Sequence, residues 1–338
     1  MDEQVQRWLT YAVTFAVAAL IAGWLTPRMR DAAIRFGIVD RPDGRLKTQR
    51  EPVPYLGGIA IYLAFLIALA LTLRFGEHVL GILLAGSIVV ILGLIDDLGQ
   101  LGPWIKLAGQ LVAVGVLVKS GIYIQLTFLP PVLAIALSIL WLLAVTNAFN
   151  LIDVMDGLSA GNAGVASLIL LVMADLCGGF RTATLLAALA GACAGFLRLN
   201  FAPARIYMGD AGSLFLGLLL GALAMDNAYT ERHVIGALAP AMVLGLPLFD
   251  MVFVMYIRRR RGLPMMLGSP DHFALRLRRW RLSTRQTVVM SYAATGVLGL
   301  AALGITLLPV AGALGVLASV VVVALGSALW LRRIDMGL

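Results

Sequence analysis

Long apolar runs, broken by short polar or basic stretches, set the pattern of this chain. The runs fall near 8–25, 55–73, 79–95, 103–119, 131–148, 159–175, 182–197, 212–226, 234–257, 285–308 and 311–331. Each is of the order of the roughly 20 residues a helix needs to cross about 30 Å of hydrocarbon. The pattern therefore predicts an all-α polytopic membrane protein with about 11 transmembrane helices. One connecting stretch, KSGIYIQLTFLPP at 119–131, alternates instead and is expected to form a small β-hairpin. No repeat, low-complexity segment or linker divides the chain, so 1–338 is read as a single integral-membrane domain.

Composition agrees with that reading. The 338 residues are 61% hydrophobic and 13% charged, where a soluble domain would carry about twice that charge. The short acidic start, MDEQVQRW, lacks the basic n-region of a cleaved signal peptide, so the first span is expected to stay. An odd number of spans puts the termini on opposite sides, and the basic residues say which. Of 26 Lys and Arg, all but Arg7, Arg74, Lys119, Arg181 and Arg232 follow odd-numbered spans, start the fourth span or lie in the C-terminal tail. The positive-inside rule then sets the N-terminus outside and the C-terminus in the cytoplasm. The net charge of +8 is thus laid against anionic lipid headgroups rather than a nucleic acid. Cys177 and Cys193 lack metal-ligand spacing and read as small packing residues.

Sorting the carboxylates by side brings out the chemistry. Asp96 and Asp97 end the third span in GLIDDLGQLG, Asp153 and Asp156 follow the fifth in NAFNLIDVMDGL, Asp210 precedes the eighth in YMGDAGSLFLG, and Asp250 lies in the ninth. All are at or near the predicted cytoplasmic face. Singly each could be a solvated loop end, and Asp250 could pair with Arg258 or a neighbour. As a set they would repel one another strongly, and intramembrane or boundary carboxylates are functional candidates by default. A divalent cation relieves the repulsion, and an oxygen-only donor set suits Mg²⁺, with Mn²⁺ as a substitute.

A metal among carboxylates beside a bilayer suggests a phosphorylated substrate, and cations are placed to meet one. Lys106 starts the fourth span, where a lone lysine would otherwise snorkel to the interface. The loop RPDGRLKTQREPVPYLGG (41–58) is basic and ends in two glycines that permit close backbone approach. The segment RRRRGLPMMLGSPDHFALRLRRWRLS (258–283) mixes arginines with Leu, Phe and Trp, as a surface anchor on anionic lipid does. His272, the sole histidine on that side, reads by itself as structural; His78 and His233 are given no role.

Taken together, GLIDDLGQL followed by Lys106, NAFNLIDVMDGLSAG, YMGDAGSLFLG and GLPLFD resemble the polyprenyl-phosphate N-acetylhexosamine-1-phosphate transferase family, over nearly the whole chain. The resemblance implies a reaction on the cytoplasmic face of the bacterial inner membrane. A UDP-sugar gives its sugar-1-phosphate, here expected to be GlcNAc-1-phosphate, to undecaprenyl phosphate, and UMP leaves. By the same resemblance Asp210 and Asn150 would be the Mg²⁺ ligands. Asp96 and Asp97 would sit near the lipid phosphate, Lys106 near the phosphates, and Asp153 and Asp156 near the nucleotide, completing the catalytic set. Tyr207 would stack on uracil. Lys47, Arg50, Asn147, Asn150, Asp250, His272 and Arg276 would help to hold the substrates. Direct attack by the lipid phosphate is the expected mechanism, with a double displacement through an acyl-phosphate at one Asp as the alternative. A homodimer is expected on similarity alone.

The chain departs from the family in two loops. Gln49 and Glu51 replace a common histidine and a common basic residue. The usual HxHH cluster after the SPD turn is absent; Pro270, His272, Arg276 and Leu277 instead form a P-x-H-x-x-x-R-L pattern closer to the eukaryotic branch. That loop is tied to sugar reading, so another N-acetylated UDP-sugar or UDP-MurNAc-pentapeptide stays open. A transporter with a cytoplasmic acidic vestibule is the reading from another class. Transport folds usually place their ionisable sites near mid-membrane, whereas these spans are nearly charge-free there.

Overall fold

The computed structural model describes residues 2–40, 52–99, 101–126, 128–263 and 269–336. Helix α1 (Glu3–Arg35) is followed by two short strands, β1 (Val39–Asp40) and β2 (Val53–Pro54), paired antiparallel. Then come α2 (Gly57–Thr72), α3 (Glu77–Gly99), α4 (Pro103–Lys119), α5 (Pro131–Ile152), α6 (Leu158–Leu176), α7 (Phe180–Asn200) and α8 (Gly209–Met225). A 3₁₀ turn (Val234–Leu238) leads into α9 (Ala239–Val243), α10 (Gly245–Arg260), α11 (Phe273–Trp280), α12 (Thr284–Leu307) and α13 (Val310–Leu331).

Local sequence explains the helix starts. Pro103 and Pro131 open α4 and α5, where a missing N–H costs nothing. Ser283 accepts from Gln286 N while the Gln286 side chain accepts from Ser283 N, a reciprocal cap for α12. α7 is the central helix, with 78% of its apolar window enclosed by neighbours that include α1, α2 and α6; α13, at 6%, lies on the rim. The helices that build the site, α3, α4, α5 and α8, pack pairwise as α3–α4, α4–α5, α5–α8 and α3–α8.

Each predicted span corresponds to helix, but the number of full crossings does not follow directly. Among the described residues, seven helices are long and apolar enough to cross a membrane, or eight if the bent pair α9–α10 is one span. α2, with 16 residues, reaches only about 24 Å at 1.5 Å per residue. The predicted span 234–257 is broken, its two parts bent by 76°. Pro247 has no N–H to offer the carbonyl of Val243 and Gly245 weakens the turn between them, which together account for the kink.

The expected hairpin at 119–131 is not formed: no strand occurs among its described residues. Ser138 Oγ accepts from Ile124 N (2.8 Å), and Ile122 is buried, so this backbone and its apolar side chains are satisfied by the helices behind them. Among the described residues, strand pairing is found instead at β1–β2, extended by a parallel bridge between Tyr55 and Tyr207. Tyr207 N donates to Pro54 O (2.8 Å), Gly57 N to Tyr207 O (3.0 Å) and Gly58 N to Met208 O (2.8 Å). The approach expected of the paired glycines is therefore made to the backbone that starts α8, and a Cβ on Gly58 would collide with Gly212 N.

Gly58→Val should accordingly lower the unfolding midpoint in detergent by an amount matching overpacking, about 1–3 kcal/mol. Differential scanning fluorimetry against Gly76→Val, where a Cβ meets nothing within 4 Å, is the check.

Candidate active site

Five helix ends meet at one face of the bundle: the last turns of α3 and α5 and the first turns of α4, α6 and α8. Polar side chains from α3, α5 and α8 converge on the Lys106 ammonium at the start of α4. Nζ lies 2.9 Å from Asp96 Oδ2, 2.5 Å from Asp210 Oδ2 and 3.1 Å from Asn150 Oδ1. Asn150 Nδ2 in turn donates to Asp210 Oδ1 (2.7 Å) and Ser213 Oγ (2.9 Å). Lys106 is an ion-pair partner here, rather than a side chain snorkelling to the headgroups.

Asp97 stands beside this cluster with a different task. Its Oδ1 accepts from Asp210 N (2.8 Å) and its Oδ2 from Ala211 N (3.2 Å), so both oxygens satisfy the first free N–H groups of α8. Gly209, at φ +75, leaves room for it: a Cβ there would lie 2.5 Å from Asp97 Oδ2. The Asp97 carbonyl accepts from Tyr55 Oη (3.0 Å), which joins the 52–58 loop to the same corner. Asp96 Oδ1 accepts from Leu101 N and fixes the α3–α4 turn.

Past the end of α5 lie Asp153 and Asp156. Asp156 Oδ2 accepts from Ala204 N (2.9 Å). Burial, then the charges of Asp210, Asp97 and Asp156, push the Asp153 carboxyl up to about 8. Burial, then Asp156, Asp40 and Asp153, likewise push the Tyr207 hydroxyl up to about 12, so it stays protonated at neutral pH. Asn147 forms an amide pair with Gln110: its Nδ2 donates to Gln110 Oε1 (2.8 Å) and its Oδ1 accepts from Gln110 Nε2 (3.4 Å). Gln110 is buried and lies one turn beyond Lys106 on α4.

Asp250, His272 and Arg276 form a separate joint. Asp250, fully buried in α10, accepts from His272 Nδ1 (2.6 Å) and from Phe273 N (2.8 Å), which ties the start of α11 to α10. Arg276 donates to Asp271 Oδ1 (2.5 Å), Asp271 O (3.1 Å), Leu331 O (3.1 Å) and Ile334 O (2.9 Å). Four of its five N–H groups are thus spent within the protein. These bonds run among α10, α11 and the end of α13, not to the Lys106 cluster. Asp250 has found a neighbour, His272, as its partner. Lys47 and Arg50 lie outside the described residues.

Sequence reasoning missed Gln110, Ser213 and Asn200. Asn200 accepts from Gly157 N (3.0 Å) and donates to Ile206 O (2.9 Å), which joins the turn carrying Asp156 to the segment carrying Tyr207. The signal was present for Gln110: an amide at i+4 from Lys106 in an otherwise apolar helix.

The donor set fits a hard divalent cation. Asp96 and Asp210 supply carboxylates and Asn150 a carbonyl, and the same oxygens already surround a positive charge. Among the described residues no three His, Cys, Asp or Glu side chains enclose a common point. A small ion such as Mg²⁺, which keeps waters and takes substrate phosphate oxygens, needs only one or two carboxylates.

A family profile for glycosyl transferase family 4 matches residues 79–228, which hold most of this cluster. A probable undecaprenyl-phosphate N-acetylglucosaminyl 1-phosphate transferase of Bacillus subtilis is 31% identical over 296 residues, covering 85% of this chain and 82% of that protein. A decaprenyl-phosphate N-acetylglucosaminephosphotransferase of Mycolicibacterium smegmatis is 31% identical, covering 86% and 81%. A phospho-N-acetylmuramoyl-pentapeptide-transferase of Heliobacterium modesticaldum is 34% identical over a shorter stretch, 64% of this chain and 73% of that protein.

Two outcomes follow from this geometry. Asp97→Ala strips both acceptors from the start of α8 and should lower stability by about the value of a helix cap, 1–2 kcal/mol, read as a fall in unfolding midpoint. For Asp153 the sign is set by its raised value of about 8 against about 4 unfolded. Between those values the folded chain holds more proton than the unfolded one, so stability falls as pH climbs from about 4 to about 8. In chelated buffer the midpoint of Asp153→Asn should therefore fall less over that range than that of the parent.

Proposed function

The chain belongs to the polyprenyl-phosphate N-acetylhexosamine-1-phosphate transferases of glycosyl transferase family 4, and from that membership we propose that it transfers N-acetylglucosamine 1-phosphate from a UDP-sugar to undecaprenyl phosphate. The observation that carries the proposal is the Lys106 cradle: a cation held by Asp96, Asp210 and Asn150 at helix ends. Such a cradle suits a diphosphate brought to a bilayer surface. GlcNAc is preferred among donors because the relatives named for it cover 85–86% of this chain.

An oxygen of the lipid phosphate attacks the phosphorus that bears the sugar. That P–O bond forms, the bond from the same phosphorus to the oxygen bridging to the nucleoside phosphate breaks, and UMP leaves with the electron pair. No base is needed, since a phosphate monoester is largely ionised at neutral pH, its second pKa being about 6. Asp97, whose two oxygens both accept backbone N–H groups, is poorly placed to be a nucleophile, which favours direct attack over the acyl-phosphate route. Mg²⁺ bound by Asp210 and Asn150 would offset charge on the diphosphate. Lys106 supplies a further positive charge, Asn150 orients Asp210, and Tyr207 offers a neutral ring to the uracil. Asp153 and Asp156 border the nucleotide. His272 and Arg276 tie α11 to α10 and to the end of α13, and Lys47 and Arg50 would help to hold the donor.

We place this face in the cytoplasm and the N-terminus outside, with eleven passages through the bacterial inner membrane, on the strength of the Lys/Arg distribution. A homodimer is part of the same reading.

Purified protein in detergent should release UMP only when a UDP-sugar, undecaprenyl phosphate and Mg²⁺ are all present, with UDP-GlcNAc the best donor. Asp210→Asn should reduce the rate by about a thousandfold or more while the protein stays folded. A fully active Asp210→Asn enzyme would overturn the proposal. Preference for UDP-MurNAc-pentapeptide would reassign the donor.

A further inference from the structure

Resting on the transfer reaction proposed above, we infer that Lys106 is a resident counter-ion which a divalent cation must displace, so that the cation binds tightly only together with the donor diphosphate. The ammonium and the divalent ion call on the same oxygens. Lys106 Nζ lies 2.9 Å from Asp96 Oδ2, 2.5 Å from Asp210 Oδ2 and 3.1 Å from Asn150 Oδ1, and the last two residues are the metal ligands of the reaction proposed above. A divalent ion on those oxygens would stand within a few ångströms of a second positive charge, in a site where only 17% of the Lys106 side chain and 11% of that of Asp96 are exposed. Repulsion at that distance is large wherever water is scarce.

Charge accounting gives the order of events. Asp96 and Asp210 contribute two negative charges and Lys106 one positive, so the cradle carries a net charge of −1. A divalent ion alone would turn it to +1 and leave the lysine, of its three partners, only Asp96. A diphosphate arriving with the ion restores the negative charge and gives the ammonium new oxygens. Lys106 is able to make the move: it lies in the first turn of α4, on a flexible four-carbon stem. The Asp210 side, where 32% of that side chain is exposed, is the more open way out.

Two measurements test this without relying on turnover. The first uses the unaltered protein, whose three lysines are Lys47, Lys106 and Lys119. Acetic anhydride labelling read by peptide mass spectrometry should show Lys106 becoming about fivefold or more as reactive when saturating Mn²⁺ is added without donor, relative to Lys119. Unchanged labelling of Lys106 would overturn the inference. The second titrates Mn²⁺ by electron paramagnetic resonance into donor-free protein. Lys106→Gln should bind it about tenfold more tightly than the parent while losing turnover, two effects of opposite sign that general damage does not produce. Equal or weaker affinity in a monodisperse, folded variant would also overturn it, and should the variant fail to fold, the labelling result decides. Both metal effects with no UMP release from any UDP-sugar would defeat the transfer reading and leave this one standing. UMP release with neither effect would do the reverse.

Discussion

A full charge at the rim of a hydrocarbon slab has to be answered from within the protein, and here that demand organises the bundle. Lys106 is answered by Asp96, Asp210 and Asn150, which arrive from α3, α8 and α5. Four helix ends are thereby held at one level. The Asp97 cap on α8 fixes the α3–α8 corner, and the Gln110–Asn147 amide pair, one turn deeper, fixes α4 against α5. Buried amides and carboxylates are costly when unpaired, so each partnership constrains the helix that supplies it. Sliding α4 by a single turn would break the amide pair and the lysine cluster together.

The chemistry follows from the same arrangement. The carboxylates at this face are not equivalent, because each is bound differently. Asp97 spends both oxygens on backbone, Asp156 spends one on Ala204 N, and Asp210 is shared between an ammonium and an amide. Asp153, crowded by three other acids, is held far above the ordinary carboxylate range. On the function proposed above, such a face would draw a divalent cation together with phosphates, and the apolar bundle beneath offers a polyprenyl chain a neighbouring solvent of its own kind.

Much of this was legible in the residue pattern, because apolar length and the one-sided distribution of charge are properties of composition along the chain. The sites of Asp96, Asp210, Asn150 and Lys106 could be read from their motifs. What Asp97 does could not, since two adjacent aspartates at a helix end differ only in which way each points. The α9–α10 break was marked by Pro247 and Gly245, yet a run of apolar residues hides such a break when only length is counted. The hairpin expectation at 119–131 failed because alternation shows which side chains share a face, and here that face is covered by helices rather than by a second strand. Arg276 was read as a substrate contact from its motif, while four of its donors turn inward.

That inward turn has a consequence for how this part of the molecule tolerates change. Among the described residues, the hydrogen bonds of Arg276 to the end of α13 go to the main-chain oxygens of Leu331 and Ile334. The requirement it places on the last helix is one of position, not of side-chain identity: a carbonyl must be there, and almost any residue can provide it. What restricts the side chains there is packing, as at buried Leu331, while shortening the helix by a turn would leave a buried guanidinium short of acceptors and loosen the loop that it pins.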